Sequence, residues 1–121
     1  MPKLLIADDS MFQRFNLAKL AREEGFTVLE AKDGRETLDL AETESPDAVL
    51  LDLNMPDMNG IEVLDILAGR GDALRVLVVT ADIQDTTRNR CLELGVAGFL
   101  NKPVDEALLR EELRAIKALT V

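Results

Sequence analysis

The sequence predicts an α/β fold: one doubly wound parallel sheet of five strands, ordered 2-1-3-4-5, with helices on both faces. Three observations carry this expectation. Short apolar runs alternate with helical patterns along the chain, which implies parallel strands joined by helical crossovers. The runs are continuous rather than alternating, as in Ala48-Val49-Leu50-Leu51, so the strands are buried on both faces. Several of them end in polar residues and turn formers.

Lys3 to Ala7 reads as the first strand, ending at Asp8-Asp9-Ser10. Ser10 or Asp9 can cap a helix from Met11 to about Glu24, and Gly25 suits its stop. Phe26 to Ala31 is the second strand. Asp33-Gly34 is a turn, and a helix follows to about Glu44, broken by Ser45-Pro46. Ala48 to Leu51 is the third strand, delivering Asp52 to a loop rich in turn formers. Gly60 opens a helix through Ile61, Val63, Leu64, Ile66 and Leu67, closed near Gly69 and Gly71. Arg75 to Thr80 is the fourth strand. A helix spans Gln84 to Leu94 and ends at Gly95. Ala97 to Leu100 is a short fifth strand, Asn101-Lys102-Pro103 a loop, and Asp105 caps a last helix to about Leu119.

A chain of 121 residues suits one domain, taken as residues 1–121. The net charge of -9 argues against direct contact with nucleic acid or an anionic membrane. No apolar run reaches spanning length, and the N-terminus lacks a signal-peptide pattern. A single cysteine, Cys91, excludes an intramolecular disulfide and fits a reducing cytoplasm. Its place in a helical pattern reads as a small apolar filler. With no histidine, the chain has neither imidazole catalysis nor imidazole metal ligands, and it is not itself a histidine kinase.

The carboxyl ends of parallel strands share one edge, where open α/β sheets place their sites. Asp8-Asp9, Asp52, Thr80 and Lys102 come after strands one, three, four and five. Carboxylates, a hydroxyl and an ammonium therefore converge on a shallow cleft. Two carboxylates about 4 Å apart repel by roughly 4 kcal/mol at an effective dielectric of 20. Such a cluster calls for a cation or a proton, and oxygen-only donors suit Mg²⁺ before Zn²⁺.

These residues carry a resemblance. Asp8, Asp9, Asp52, Thr80 and Lys102 before Pro103, in order at strand ends, make the sequence similar to receiver domains of two-component response regulators. The likeness is to the stand-alone chemotaxis (CheY-like) type, with a flavodoxin-like fold, and covers essentially the whole chain. It implies a phospho-acceptor switch rather than an enzyme with external substrates. A histidine kinase or phosphotransfer protein would donate to Asp52. Mg²⁺ would be held by Asp9, Asp52 and the Asn54 backbone carbonyl, with Asp8 acting through water. Lys102 and Thr80 would pair with phosphoryl oxygens. Thr80 would move inward and Phe99, where many relatives carry Tyr, would fill the vacated space. The resemblance also implies a cis peptide at Lys102-Pro103.

Asn54 and Asp82 each lie two residues beyond a signature position and are expected to tune the loss of the phosphoryl group. In the first helix Leu17, Leu20 and Ala21 form one stripe; Met11, Phe15 and Ala18 form another, with Phe12 beside it. By resemblance the first stripe is core. Met11, Phe12 and Phe15 are left partly exposed to dock a kinase or phosphatase. The resemblance places Arg88, Leu92, Asn101 and Val104 on the output face, and it implies that the polarity of Arg88 and Asn101 disfavours a flagellar motor partner. The chain would act as a monomer or as a phosphorylation-dependent dimer.

Three other readings compete. A haloacid-dehalogenase-type phosphatase also uses a strand-end Asp, but it wants a second Asp where Asn54 stands. A flavodoxin-like electron carrier shares the sheet order, yet the chain lacks Trp and Tyr and its first loop is acidic. The domain could also belong to a longer regulator with its own output domain.

Overall fold

The computed structural model describes residues 1–70 and 74–120. The strands are β1 (Lys3–Ala7), β2 (Thr27–Ala31), β3 (Ala48–Leu51), β4 (Arg75–Thr80) and β5 (Gly98–Asn101). The helices are α1 (Met11–Glu23), α2 (Gly34–Glu44), α3 (Gly60–Gly69), α4 (Asp85–Glu93) and α5 (Glu106–Leu119). All strands pair in parallel, in the order β2-β1-β3-β4-β5.

Continuous apolar strands let the sheet feed two cores. On one face Leu4, Ile6, Leu50 and Val79 pack with Leu17 and Leu20 of α1 and Leu109 and Leu113 of α5. On the other, Leu5, Val49, Leu51 and Val78 pack with Val63, Leu64 and Leu67 of α3 and with Cys91 of α4. Cys91 is the buried filler the sequence implied.

Local chemistry sets the helix starts. Ser10, Asp33, Asn59 and Asp105 each accept a backbone N–H of the first turn. Asp33 is thus a cap rather than one half of a turn, and Gly34 is already helical. Gly25 and Gly95 take positive φ past α1 and α4, as helix stops do. The expected stop at Gly71 lies outside the described residues.

Two strands are displaced from expectation by a residue. Phe26 precedes β2 and fills the α1–α5 core instead. β5 starts at Gly98 and takes in Asn101, which pairs with Thr80 in the ladder. Among the described residues no helix is long and apolar enough to cross a membrane.

Candidate functional site

Backbone bonds just beyond the strand ends fix the site. Asp8 N–H donates to Ala31 O at 3.1 Å and Asp52 N–H to Ala7 O at 2.9 Å, while Lys102 N–H reaches Thr80 O at 2.8 Å. Each of the three side chains therefore projects from a backbone held by the neighbouring strand. The loop after Asp52 closes on itself: Gly60 N–H donates to Leu53 O at 3.0 Å, and Asn54 bridges Asn59. A Cβ on Gly60 would collide with the Leu53 backbone, so close approach demands glycine there.

Asp8 is 2% exposed, Asp52 5% and Thr80 fully buried, whereas Asp9 is open to solvent. Oxygens of Asp8, Asp9 and Asp52 lie within 4.8 Å of one another. Lys102 answers that charge. Its Nζ donates to Asp8 Oδ2 at 2.9 Å and to Asp52 Oδ2 at 3.2 Å. The remaining oxygens are also engaged: Asp8 Oδ1 accepts Ser10 N–H at 2.9 Å and Asp52 Oδ1 accepts Asn54 N–H at 3.1 Å.

Burial pushes the Asp52 carboxyl above its usual range, and the Asp8 charge adds to the push; the Asn54 N–H and Lys102 only partly oppose it. Burial alone would lower Lys102, but its hydrogen bond to Asp8 and the charges of Asp52 and Asp8 outweigh that and raise it. The arrangement is a desolvated nucleophilic oxygen beside excess negative charge, with one ammonium at hand.

Known proteins resemble the chain in the same region. The sequence model for the response regulator receiver domain family matches residues 4–114. The chain is a receiver domain of that family. The receiver is 34% identical to protein PilH of Pseudomonas aeruginosa over 120 residues, covering 98% of the chain and 99% of PilH. It is 38% identical to the response regulator MprA of Mycolicibacterium vanbaalenii over 114 residues, covering 94% of the chain and 49% of MprA. It thus spans about half of MprA but nearly all of PilH. Among solved structures, CheY of Borrelia burgdorferi, in a complex with CheX, BeF3 and Mg²⁺, superposes with a TM-score of 0.88 at 30% identity. That match covers 94% of the receiver and 87% of the CheY chain. Membership in this family decides against the phosphatase and electron-carrier readings.

The structure gathers Asp8, Asp9, Asp52 and Lys102, with Thr80 at the neighbouring strand end and a cis peptide at Lys102-Pro103. Phe99 is half-buried against the core on the α3 side. Asn54 and Asp82 line one cleft of about 300 Å³, together with Thr87. In α1 the second stripe is split. Ala18 is buried with Leu17, while Met11, Phe12 and Phe15 are 76%, 72% and 66% exposed, more open than expected. The helix turns a wide face to both the sheet and α5, and that face takes in Ala18.

Sequence reasoning missed two anchors. Arg14 donates from Nη1 to Asp8 O at 2.7 Å and pairs with Glu30, pinning the acidic loop. Asp57 accepts N–H groups of Gly34 at 2.8 Å and Arg35 at 2.9 Å, tying the loop after Asp52 to the start of α2. Those backbone bonds hold its carboxyl below the usual range.

Proposed function

We propose that Asp52 accepts a phosphoryl group from the phosphohistidine of a kinase or phosphotransfer protein, and that the modified receiver then presents a changed surface to a downstream protein. One observation supports this above all: a 5%-exposed carboxylate stands at the sheet edge with Lys102 Nζ 3.2 Å away. An Asp52 oxygen bonds to phosphorus as the P–N bond breaks, and the imidazole leaves with the bonding pair and takes a proton. In the loss step, water attacks phosphorus and Asp52 departs as carboxylate. The receiver catalyses only these two events on itself.

The donor set fits Mg²⁺, being all oxygen, clustered and over-charged. Asp9, Asp52 and the Asn54 carbonyl would hold the ion, with Asp8 through water. Bound there, it supplies positive charge against the carboxylates and the phosphoryl oxygens. Lys102 shifts from Asp8 toward a phosphoryl oxygen, and Thr80 donates its hydroxyl to another. Phe99 moves into the space that Thr80 leaves, carrying the change to the face of α4, β5 and α5. Asn54 and Asp82 control the approach of water.

The exposed Met11, Phe12 and Phe15 dock the kinase, phosphotransfer protein or a phosphatase. The receiver acts in the cytoplasm, as its lone cysteine and the phosphohistidine donor suggest, alone or as a dimer formed on phosphorylation.

Intact-protein mass after incubation with a small phosphodonor and Mg²⁺ tests the reading. One added phosphoryl group is expected, absent in Asp52→Asn and with a chelator. An adduct that persists in Asp52→Asn, or none in the wild type with beryllofluoride binding also absent, overturns it.

A further inference from the structure

We propose that Asn101 is a positioning residue: its carboxamide latches the loop between β4 and α4 in the resting arrangement, and so sets how readily Thr80 turns toward a phosphoryl group. This rests on the proposed role of Asp52.

Asn101 Nδ2 donates to Asp82 O at 2.8 Å and to Thr80 O at 3.3 Å. Both partners are carbonyl oxygens, so only the amide nitrogen can face them, and the side-chain orientation is determined. Three more hydrogen bonds tie the same loop. Asp82 N–H donates to Thr80 Oγ1 at 3.2 Å. The Asp82 carboxylate accepts Gln84 N–H at 2.9 Å and the Thr87 hydroxyl at 2.9 Å.

These ties form one device. Gln84 occupies the cap position of α4 but makes no side-chain cap bond. Asp82 instead holds the N–H of that cap residue and the hydroxyl of Thr87 in the first turn, so the start of α4 is tied to Asp82. When Thr80 turns its hydroxyl to a new acceptor, the Asp82 amide loses its partner and the loop must shift. Asn101, bound to the carbonyls at both Thr80 and Asp82, opposes that shift. It also directly precedes Lys102, so the latch and the site ammonium share one strand end. The side chain of Asn101 lies at the surface, and replacing it leaves both cores intact.

The test uses the full chain with Asn101→Leu, which keeps similar size without a donor, and Asn101→Asp, which keeps the shape but turns oxygens to the carbonyls. Beryllofluoride with Mg²⁺ is the probe, titrated by calorimetry. Hydrogen–deuterium exchange across residues 81–85 is read without the probe. Both variants are expected to exchange faster in that loop and to bind beryllofluoride about three- to tenfold tighter, as the loss of one or two surface hydrogen bonds implies. Thr87→Val, which frees Asp82 by another route, moves both readings the same way. A merely structural role would lower the melting temperature without tightening the probe. Unchanged or weaker binding in both Asn101 variants overturns the latch. If the wild type itself takes no beryllofluoride, the Asp52 reading fails instead.

Discussion

Lys102 Nζ donates to Asp8 Oδ2 at 2.9 Å, joining two residues 94 positions apart at the sheet's carboxyl edge. The same ammonium reaches Asp52, so it is the local counter-charge for two buried carboxylates. Lys102→Ala leaves both uncompensated. Its unfolding free energy should fall by about 2 kcal/mol, less than for a fully buried pair because Lys102 keeps some solvent contact. Phosphorylation by a small donor should slow by roughly a hundredfold, since the group proposed to donate to the phosphoryl oxygens is gone. Urea unfolding followed by circular dichroism and intact mass check the two halves.

Asp52 itself costs stability when charged. Burial raises its carboxyl above the ordinary 3.8, so the native state binds its proton more tightly than the unfolded chain does. The wild type therefore loses stability as pH rises through the interval from 3.8 to the raised native value. Asp52→Asn has no such loss. It should melt higher than the wild type at pH 7, with the gain shrinking as pH falls toward 4. A gain independent of pH would place the cause elsewhere.

Substitution of Asp9 tests the proposed metal site apart from folding. The residue is exposed and lies outside the Lys102 bridge, so Asp9→Asn should change apo stability by less than about 0.5 kcal/mol. Mg²⁺ should stabilise the wild type by about 1.4 kcal/mol at ten times its dissociation constant. Asp9→Asn should lose most of that, and a chelator should remove it from the wild type. Thermal melts with and without Mg²⁺ give both numbers.

The strand-end residues are legible because a buried parallel strand is a continuous apolar run, and the polar residues at the ends of such runs gather at one shared edge. Asp8, Asp52, Thr80 and Lys102 could be placed from that alone, and the family resemblance gave them roles. Contacts made across the fold were not legible. Asp57 caps a helix that begins 23 residues earlier, and no local pattern marks it. Asn101 read as loop because its strand character comes from pairing with Thr80, a property of the neighbour rather than of Asn101. Ala18 shares the stripe of Met11 and Phe15 by helical angle yet is buried, since helical angle fixes a face but not how much of it a sheet and a second helix cover.

The exposed face of α1 can be tested apart from the chemistry. Phe15→Glu should leave stability and small-donor phosphorylation near wild type, since the ring is mostly exposed to solvent. Transfer from a phosphorylated histidine kinase or phosphotransfer protein should slow by at least about tenfold, the loss expected of a central aromatic contact. Equal slowing with the small donor would mean that the substitution disturbs the site rather than the docking.

The far end of α1 sets an acid limit on the fold. Glu24 accepts Arg110 Nη1 at 2.6 Å and Arg114 Nε at 2.7 Å, and Lys117 Nζ donates to its backbone oxygen at 3.1 Å. α5 is thereby clamped to α1. The hydrogen bonds from Arg114 and then Arg110 hold the Glu24 carboxyl below its ordinary 4.5. The unfolded chain thus binds the proton more readily than the native state. Stability from the clamp is complete above pH 4.5 and is lost as pH falls through the lowered native value. Glu24→Gln should be less stable than the wild type at pH 7, and the two curves should converge in stronger acid. Asp57, lowered in the same sense by the amides of α2, keeps part of the acid slope in the variant. Parallel curves across the whole range would show that the clamp acts through packing of the side chains and not through the Glu24 charge.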